Sequence, residues 1–249
     1  MRSILLLLIL TLTSCIEGDE ELWLNRDGSG RIEATYRMPP TLMNRFGGAA
    51  SLQERLLAAI EKEPDIRVEH VSHRIEGSQV VFELRANFDD AMSFIELPSK
   101  HFRDPETPDK PATLESFFGE MDLKLTGLSL EFHRNINLSP ILPLSVQENG
   151  AMLGDSAFNY TLHLPTKPST HNATSVSGDG TTLHWHFPLK DHVKTPMHLH
   201  TTMFLPLPWW LWTALALLIL LLPYALLRLI RRRKQSRPLP PTAQPPAAA

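Results

Sequence analysis

The chain has 249 residues, 24 Lys+Arg against 27 Asp+Glu, a formal net charge of −3 and 43% hydrophobic residues. That length suits one or two globular domains, and the mild acidity argues against a nucleic-acid binder. A single cysteine excludes a disulfide framework.

The first segment reads as an export leader. Arg2 precedes an apolar run from Ile4 to Leu12, and Leu12-Thr13-Ser14-Cys15 closes it. The run is too short to cross a bilayer as a helix. With small residues before the cysteine, Leu12-Thr13-Ser14-Cys15 resembles the lipobox of bacterial lipoproteins, which implies that residues 1–14 are a cleaved signal peptide and that Cys15 is lipidated as the first residue of the mature chain. The alternative is an ordinary signal peptide with an incidental cysteine. Lipidation would remove the only thiol, and with it thiol catalysis and cysteine metal sites. Residues 15–206 then form the exported domain. Seven of the 24 basic residues (Arg2, Arg228, Arg231, Arg232, Arg233, Lys234, Arg237) lie outside it, leaving 17 against 27 acidic, a net of −10.

Within the domain, Glu20–Asn25 and Arg31–Met38 alternate as strands around the turn Asp27-Gly28-Ser29-Gly30. Asp19-Glu20-Glu21 reads as a solvated patch. After Gly47-Gly48, Ser51-Leu52-Gln53-Glu54 matches a capping box, and Leu52, Leu56, Ala59 and Ile60 define one helical face. Ile66–Glu76 and Gln79–Phe88 form a second hairpin across Gly77-Ser78. Asp89-Asp90 starts a short helix, and Pro98–Pro111 reads as a charged loop. Leu114–Gly119 predicts one helical turn, Asp122–Asn135 one long strand, and Ile136–Gly154 irregular chain. Ala157–Leu164, Thr181–Leu189 and Met197–Phe204 complete the strands. The fold class is α+β: a mainly antiparallel sheet with helices packed on one face.

Histidine is the chemically suggestive residue. His184-Trp185-His186 and His198-Leu199-His200 each put two imidazoles on one strand face. The short link between the strands predicts that they pair, bringing His184, His186, His198 and His200 within cross-strand reach of a transition metal. The plainer reading is a solvent-facing polar surface. His70 and His73 fall on opposite faces of their strand. No G-x-S-x-G elbow, H-E-x-x-H, phosphate-cradling glycine loop or dinucleotide fingerprint occurs in the sequence.

Trp209–Leu227 is a run of nineteen uncharged residues that leads into the cluster from Arg228 to Arg237. Residues 207–230 are expected to cross the membrane as a helix, with Trp209, Trp210 and Trp212 at one interface. Arg231, Arg232 and Arg233 mark the cytoplasmic side, so 231–249 is a basic stop and a disordered cytoplasmic tail.

The lipobox, the segment Leu22-Trp23-Leu24-Asn25-Arg26-Asp27-Gly28-Ser29-Gly30-Arg31-Ile32 and the C-terminal helix with its basic stop resemble LppM-type bacterial envelope lipoproteins. So do Tyr160-Thr161-Leu162-His163-Leu164-Pro165, Asn172-Ala173, and Gly180–Leu183 with Trp185 and Phe187. Thr166 departs from the family's pattern, which has glycine after that proline. The resemblance implies an exported α+β domain without a catalytic role and an apolar cavity for envelope lipids. Trp23, Tyr36, Phe82, Phe117, Phe118 and Trp185 are the candidate lining residues, with plain core packing as the alternative. The reading is a non-enzymatic membrane-anchored lipoprotein. It needs no cofactor beyond the lipid on Cys15 and no nucleic acid; its partners are membrane lipid and an envelope protein or lipid ligand. The second reading is a metal-binding sensor built on the paired His-x-His strands.

Overall fold

The computed structural model describes residues 16–102, 113–205, 211 and 213–223. Two compact units divide the chain, Met1–Leu205 and Pro206–Ala249. The first is α+β and dominated by sheet.

Strands β1 (Glu17–Leu24) and β2 (Gly30–Met38) form the first hairpin. Gly28 supplies the left-handed turn at φ 88°, and the Asp27 carboxylate accepts from the Ser29 N–H at 3.1 Å. Gly30 is required by contact, since a Cβ there would lie 2.2 Å from the Trp23 carbonyl oxygen. A one-turn helix α1 (Pro40–Met43) leads through a 3₁₀ turn to α2 (Ala49–Ile60), which buries Leu52, Leu56, Ala59 and Ile60 as expected. The capping box does not form. Gly47 and Gly48, at φ 87° and 89°, reverse the chain and release it into the helix at Ala49, so Ser51 falls inside the first turn.

Strands β3 (Ile66–Glu76) and β4 (Gln79–Phe88) pair across Gly77-Ser78, at the boundaries the sequence predicts. Helix α3 (Ala91–His101) is capped by Asp90, whose carboxylate accepts from the Ser93 N–H at 3.1 Å. It runs through Pro98, where the sequence suggests a loop; the Phe102 N–H donates to the Pro98 carbonyl at 3.0 Å and keeps the last turn. The rest of that expected loop, 103–111, lies outside the described residues. Helix α4 (Thr113–Phe118) follows.

The long strand expected over Asp122–Asn135 is a hairpin, β5 (Glu120–Thr126) and β6 (Ser129–Ile136), turned at Gly127 with φ 63°. The spacing explains it. Leu123 and Leu125 keep one phase, but the step from Leu125 to Leu128 is odd, so no single strand keeps all its leucines on one face. The segment expected to be irregular contains a short helix α5 (Leu144–Glu148). The remaining strands are β7 (Ala157–His163), β8 (Pro168–His171), β9 (Ser175–Val176), β10 (Thr182–Pro188) and β11 (Met197–Phe204).

The strands build two sheets, ordered β3-β4-β2-β1-β7-β10-β9 and β5-β6-β11-β8. All pairs are antiparallel except β1 with β7. One face of the larger sheet is covered twice over its width. Leu56 and Ile60 of α2 and Phe94 and Leu97 of α3 lie over Ile32, Leu84 and Ala86. Beside them, Leu123, Phe132 and Met203 of the smaller sheet lie over Leu22 and Leu162. A second sheet therefore shares with the helices the covering role that the sequence gives to helices alone. The larger sheet's opposite face is polar and carries ion pairs such as Arg85–Glu33 at 3.1 Å and Arg74–Glu83 at 2.7 Å.

In the second unit, residues 213–223 are helical and expose their leucines. Among the described residues no helix is long and apolar enough to cross a membrane. Parts of the expected span, its anchors Trp209, Trp210, Trp212, Arg231, Arg232 and Arg233, and the lipidation site Cys15 lie outside the described residues.

Candidate functional site

Between the two sheets sits a charged node inside a mainly apolar interior. Glu20 of β1 and Arg134 of β6 are each 3% exposed. Glu20 lies on the inward face with Gly18 and Leu22, and Arg134 with Phe132 and Ile136, so strand alternation drives both charges inward. They meet as a two-pronged ion pair: Arg134 Nη1 donates to Glu20 Oε2, and Nη2 donates to Oε1 at 3.0 Å. The Tyr36 hydroxyl donates to Glu20 Oε1 at 2.5 Å, and Arg134 Nε donates to the Phe118 carbonyl at 2.9 Å. The guanidinium also lies 5.2 Å from the Tyr160 ring centroid. Burial, reinforced by the Glu20 carboxylate, pushes the Tyr36 phenol well above its ordinary pKa. Burial likewise raises Tyr160, although the Arg134 cation opposes it. For Arg134, burial disfavours the charge but Glu20 outweighs it, so the cation is held more firmly than usual. Glu20 is therefore no part of a solvated patch, a correction to the sequence reading. The available signal was a charge in phase with apolar neighbours on each of two strands, since a buried charge requires a partner.

Among the described residues, three apolar cavities lie beneath the larger sheet. The first, about 30 Å³, has Leu56, Phe94, Leu97, Phe118, Met121 and Tyr160 in its wall and touches Glu20 and Arg134. The second, also about 30 Å³, shares Phe94 and runs to Leu22, Leu164 and Met203. The third, about 20 Å³, lies by Ile16, Gly18, Tyr36, Phe117 and Phe158. Each holds a water-sized volume, against about 300–1,000 Å³ for a formed small-molecule pocket.

The six candidate lining residues do not surround one pocket. Phe118 lines the first cavity, and Tyr36 and Phe117 line the third. Phe82 and Trp185 are core residues, 2% exposed each. The Trp185 indole N–H donates to Asn172 Oδ1 at 2.8 Å, and the same oxygen accepts from the His200 backbone N–H, which ties β10 to β11. Trp23 lies on the polar outer face, stacked on His163 at 4.9 Å with Arg31 4.1 Å from its ring centroid. It points outward because it is in phase with Asp19 and Glu21, not with Leu22.

The four histidines of the paired motifs are not brought together. β10 belongs to the larger sheet and β11 to the smaller, so the strands do not pair. Pro188 ends β10, a 3₁₀ turn follows at Leu189–Asp191, and Pro196 precedes β11; this punctuation sends the chain to the other sheet. His184 bonds Thr161 Oγ1 at 3.0 Å and His186 bonds Asn159 Oδ1 at 2.7 Å, both on the larger sheet's outer face. His200 instead joins Glu131 and His133 of β6. His198 is exposed, opposite Asn135. The sequence pattern points β11 toward β10, so Glu131 and His133, on the strand that β11 actually joins, carry no local signal as ligands.

No protein-family model and no curated protein matches the chain. Among solved structures it is similar to the folded domain of LppM from Mycobacterium tuberculosis, with a TM-score of 0.44 and 10% identity, over 78% of this chain and 92% of that one.

Proposed function

We propose that this chain is a non-enzymatic, membrane-anchored envelope lipoprotein whose exported domain takes an apolar ligand, a lipid chain foremost, in the seam beneath its larger sheet. The observation that carries this reading is the set of three apolar cavities beneath that sheet, the first two sharing Phe94. The buried charges at the first cavity, Glu20 and Arg134, neutralise each other. Cavities this small would take a slender chain only with the covering layer displaced as it enters.

The ends of the domain fit a bilayer-side position. β1 begins at Glu17, two residues after Cys15, and the Ile16 N–H donates to Ser156 Oγ at 2.8 Å. A lipid on Cys15 would thus hold the domain without a linker. At the far end of β1, Leu24 lines a cavity with Met203, next to the domain's last residues. Eight residues of strand separate the two ends by about 25 Å. Leu125, Leu128 and Phe204 are 59%, 48% and 61% exposed around that far end, apolar surface that a lipid headgroup region would cover.

The test is mass spectrometry of lipids extracted from the full chain purified from membranes. A lipid enriched over an unrelated membrane protein, and depleted several-fold by Ala86→Leu in the first cavity, is expected. No enrichment, or enrichment unaffected by Ala86→Leu, overturns the reading.

A further inference from the structure

We propose that Glu131, His133 and His200 form a binding site for a divalent transition metal, zinc foremost, on the outer face of the smaller sheet. Backbone register builds the site. His200 of β11 is directly opposite His133 of β6, and Glu131 lies two residues along β6 on the same face. Cross-strand partners in this arrangement keep their side chains side by side, so the three donors converge without any loop.

The spacing lies near that of a coordination sphere. Glu131 Oε1 is 3.0 Å from His133 Nε2 and 3.4 Å from His200 Nε2. Zinc bonds of 2.0–2.2 Å to nitrogen and oxygen put tetrahedral ligand atoms about 3.3–3.5 Å apart. All three donor atoms lie within 4.8 Å of one another, and the imidazole centroids are 4.5 Å apart. A metal could enter with side-chain adjustments alone. Two imidazoles and one carboxylate select a first-row transition ion over calcium or magnesium, which prefer oxygen throughout. Asp122 pairs with His133 from the other side, exposed on the same face, and is the next donor available; otherwise water completes the sphere. The side chains of His133, Glu131 and His200 are 46%, 40% and 31% exposed, which leaves an entry path.

This inference is independent of the seam, because the site faces outward from the smaller sheet. It replaces the four-histidine cluster with a set to which only His200 is common.

The test is calorimetric titration of zinc into the untagged full chain after chelator treatment. One saturable site is expected, weakened at least tenfold by each of His133→Ala, His200→Ala and Glu131→Gln. The double variant His184→Ala/His186→Ala should bind within twofold of the parent. Absence of saturable binding, or binding that survives all three site substitutions, overturns the proposal. If a site variant fails to fold, X-ray absorption on the zinc-loaded parent decides: two imidazoles in the first shell are expected, and fewer overturn it.

Discussion

His133 and Arg134 are neighbours in β6, yet strand alternation places them in different solvents. Arg134 points into the core, where Glu20 and the Phe118 carbonyl accept its hydrogen bonds and the Tyr36 hydroxyl donates to Glu20 in turn. His133 points outward, where Glu131 and His200 stand open to water. Inside, polar groups are expensive to desolvate and must be mutually complete, so they hold two sheets in register and are spent on that. Outside, the same kinds of group cost little to display and keep their lone pairs available. The difference teaches where to seek function in this fold: not in its most buried charge, but in the half-exposed cluster and the apolar seam.

The sharpest way to break that contrast is to remove one inner partner. Arg134→Met should destabilise the domain by about 3–5 kcal/mol, since it strands the Glu20 carboxylate in the core. The double variant Glu20→Leu/Arg134→Met should recover most of the loss, both read by urea denaturation. Equal destabilisation of single and double variants would show that the pair does more than neutralise itself. A smaller effect is expected for Tyr36→Phe, about 1.5–3 kcal/mol, because its hydroxyl donates to a charged acceptor.

Alkaline pH probes the same interior. The folded-state pKa values of Tyr36 and Tyr160 lie above the unfolded phenol value of about 10, so their contribution is complete below about pH 10 and is lost as pH rises further. Of the three tyrosines in the chain, these two should ionise only with unfolding when absorbance is followed through an alkaline titration. Their ionisation in step with a free phenol would contradict the burial argument. Outside, the effect should nearly vanish: His133→Ala and Glu131→Gln without metal should each leave the urea midpoint almost unchanged.

The sequence made local features legible and left partnerships dark. The β3–β4 hairpin could be read to its boundaries because Gly77-Ser78 is a strong turn signal between alternating strands. The buried face of α2 was equally plain from Leu52, Leu56, Ala59 and Ile60. The β5–β6 turn was missed, although the odd step between Leu125 and Leu128 records it. Strand partners were harder still. The Lys190–Pro196 link is short enough for a hairpin, and only its flanking Pro188 and Pro196 hint that β11 departs for another sheet. That one misassignment scattered the histidine cluster and hid Glu131 and His133. The Glu20–Arg134 pair spans 114 positions, a separation at which no local pattern names a partner.

The most direct test of the seam is photocrosslinking of the full chain in its membrane with a diazirine-bearing fatty acid, mapped by peptide mass spectrometry. The account predicts adducts on Phe94, Leu97 and Phe118, which face the first cavity. Adducts confined to the outer face of the larger sheet, around Trp23 and His163, would contradict it.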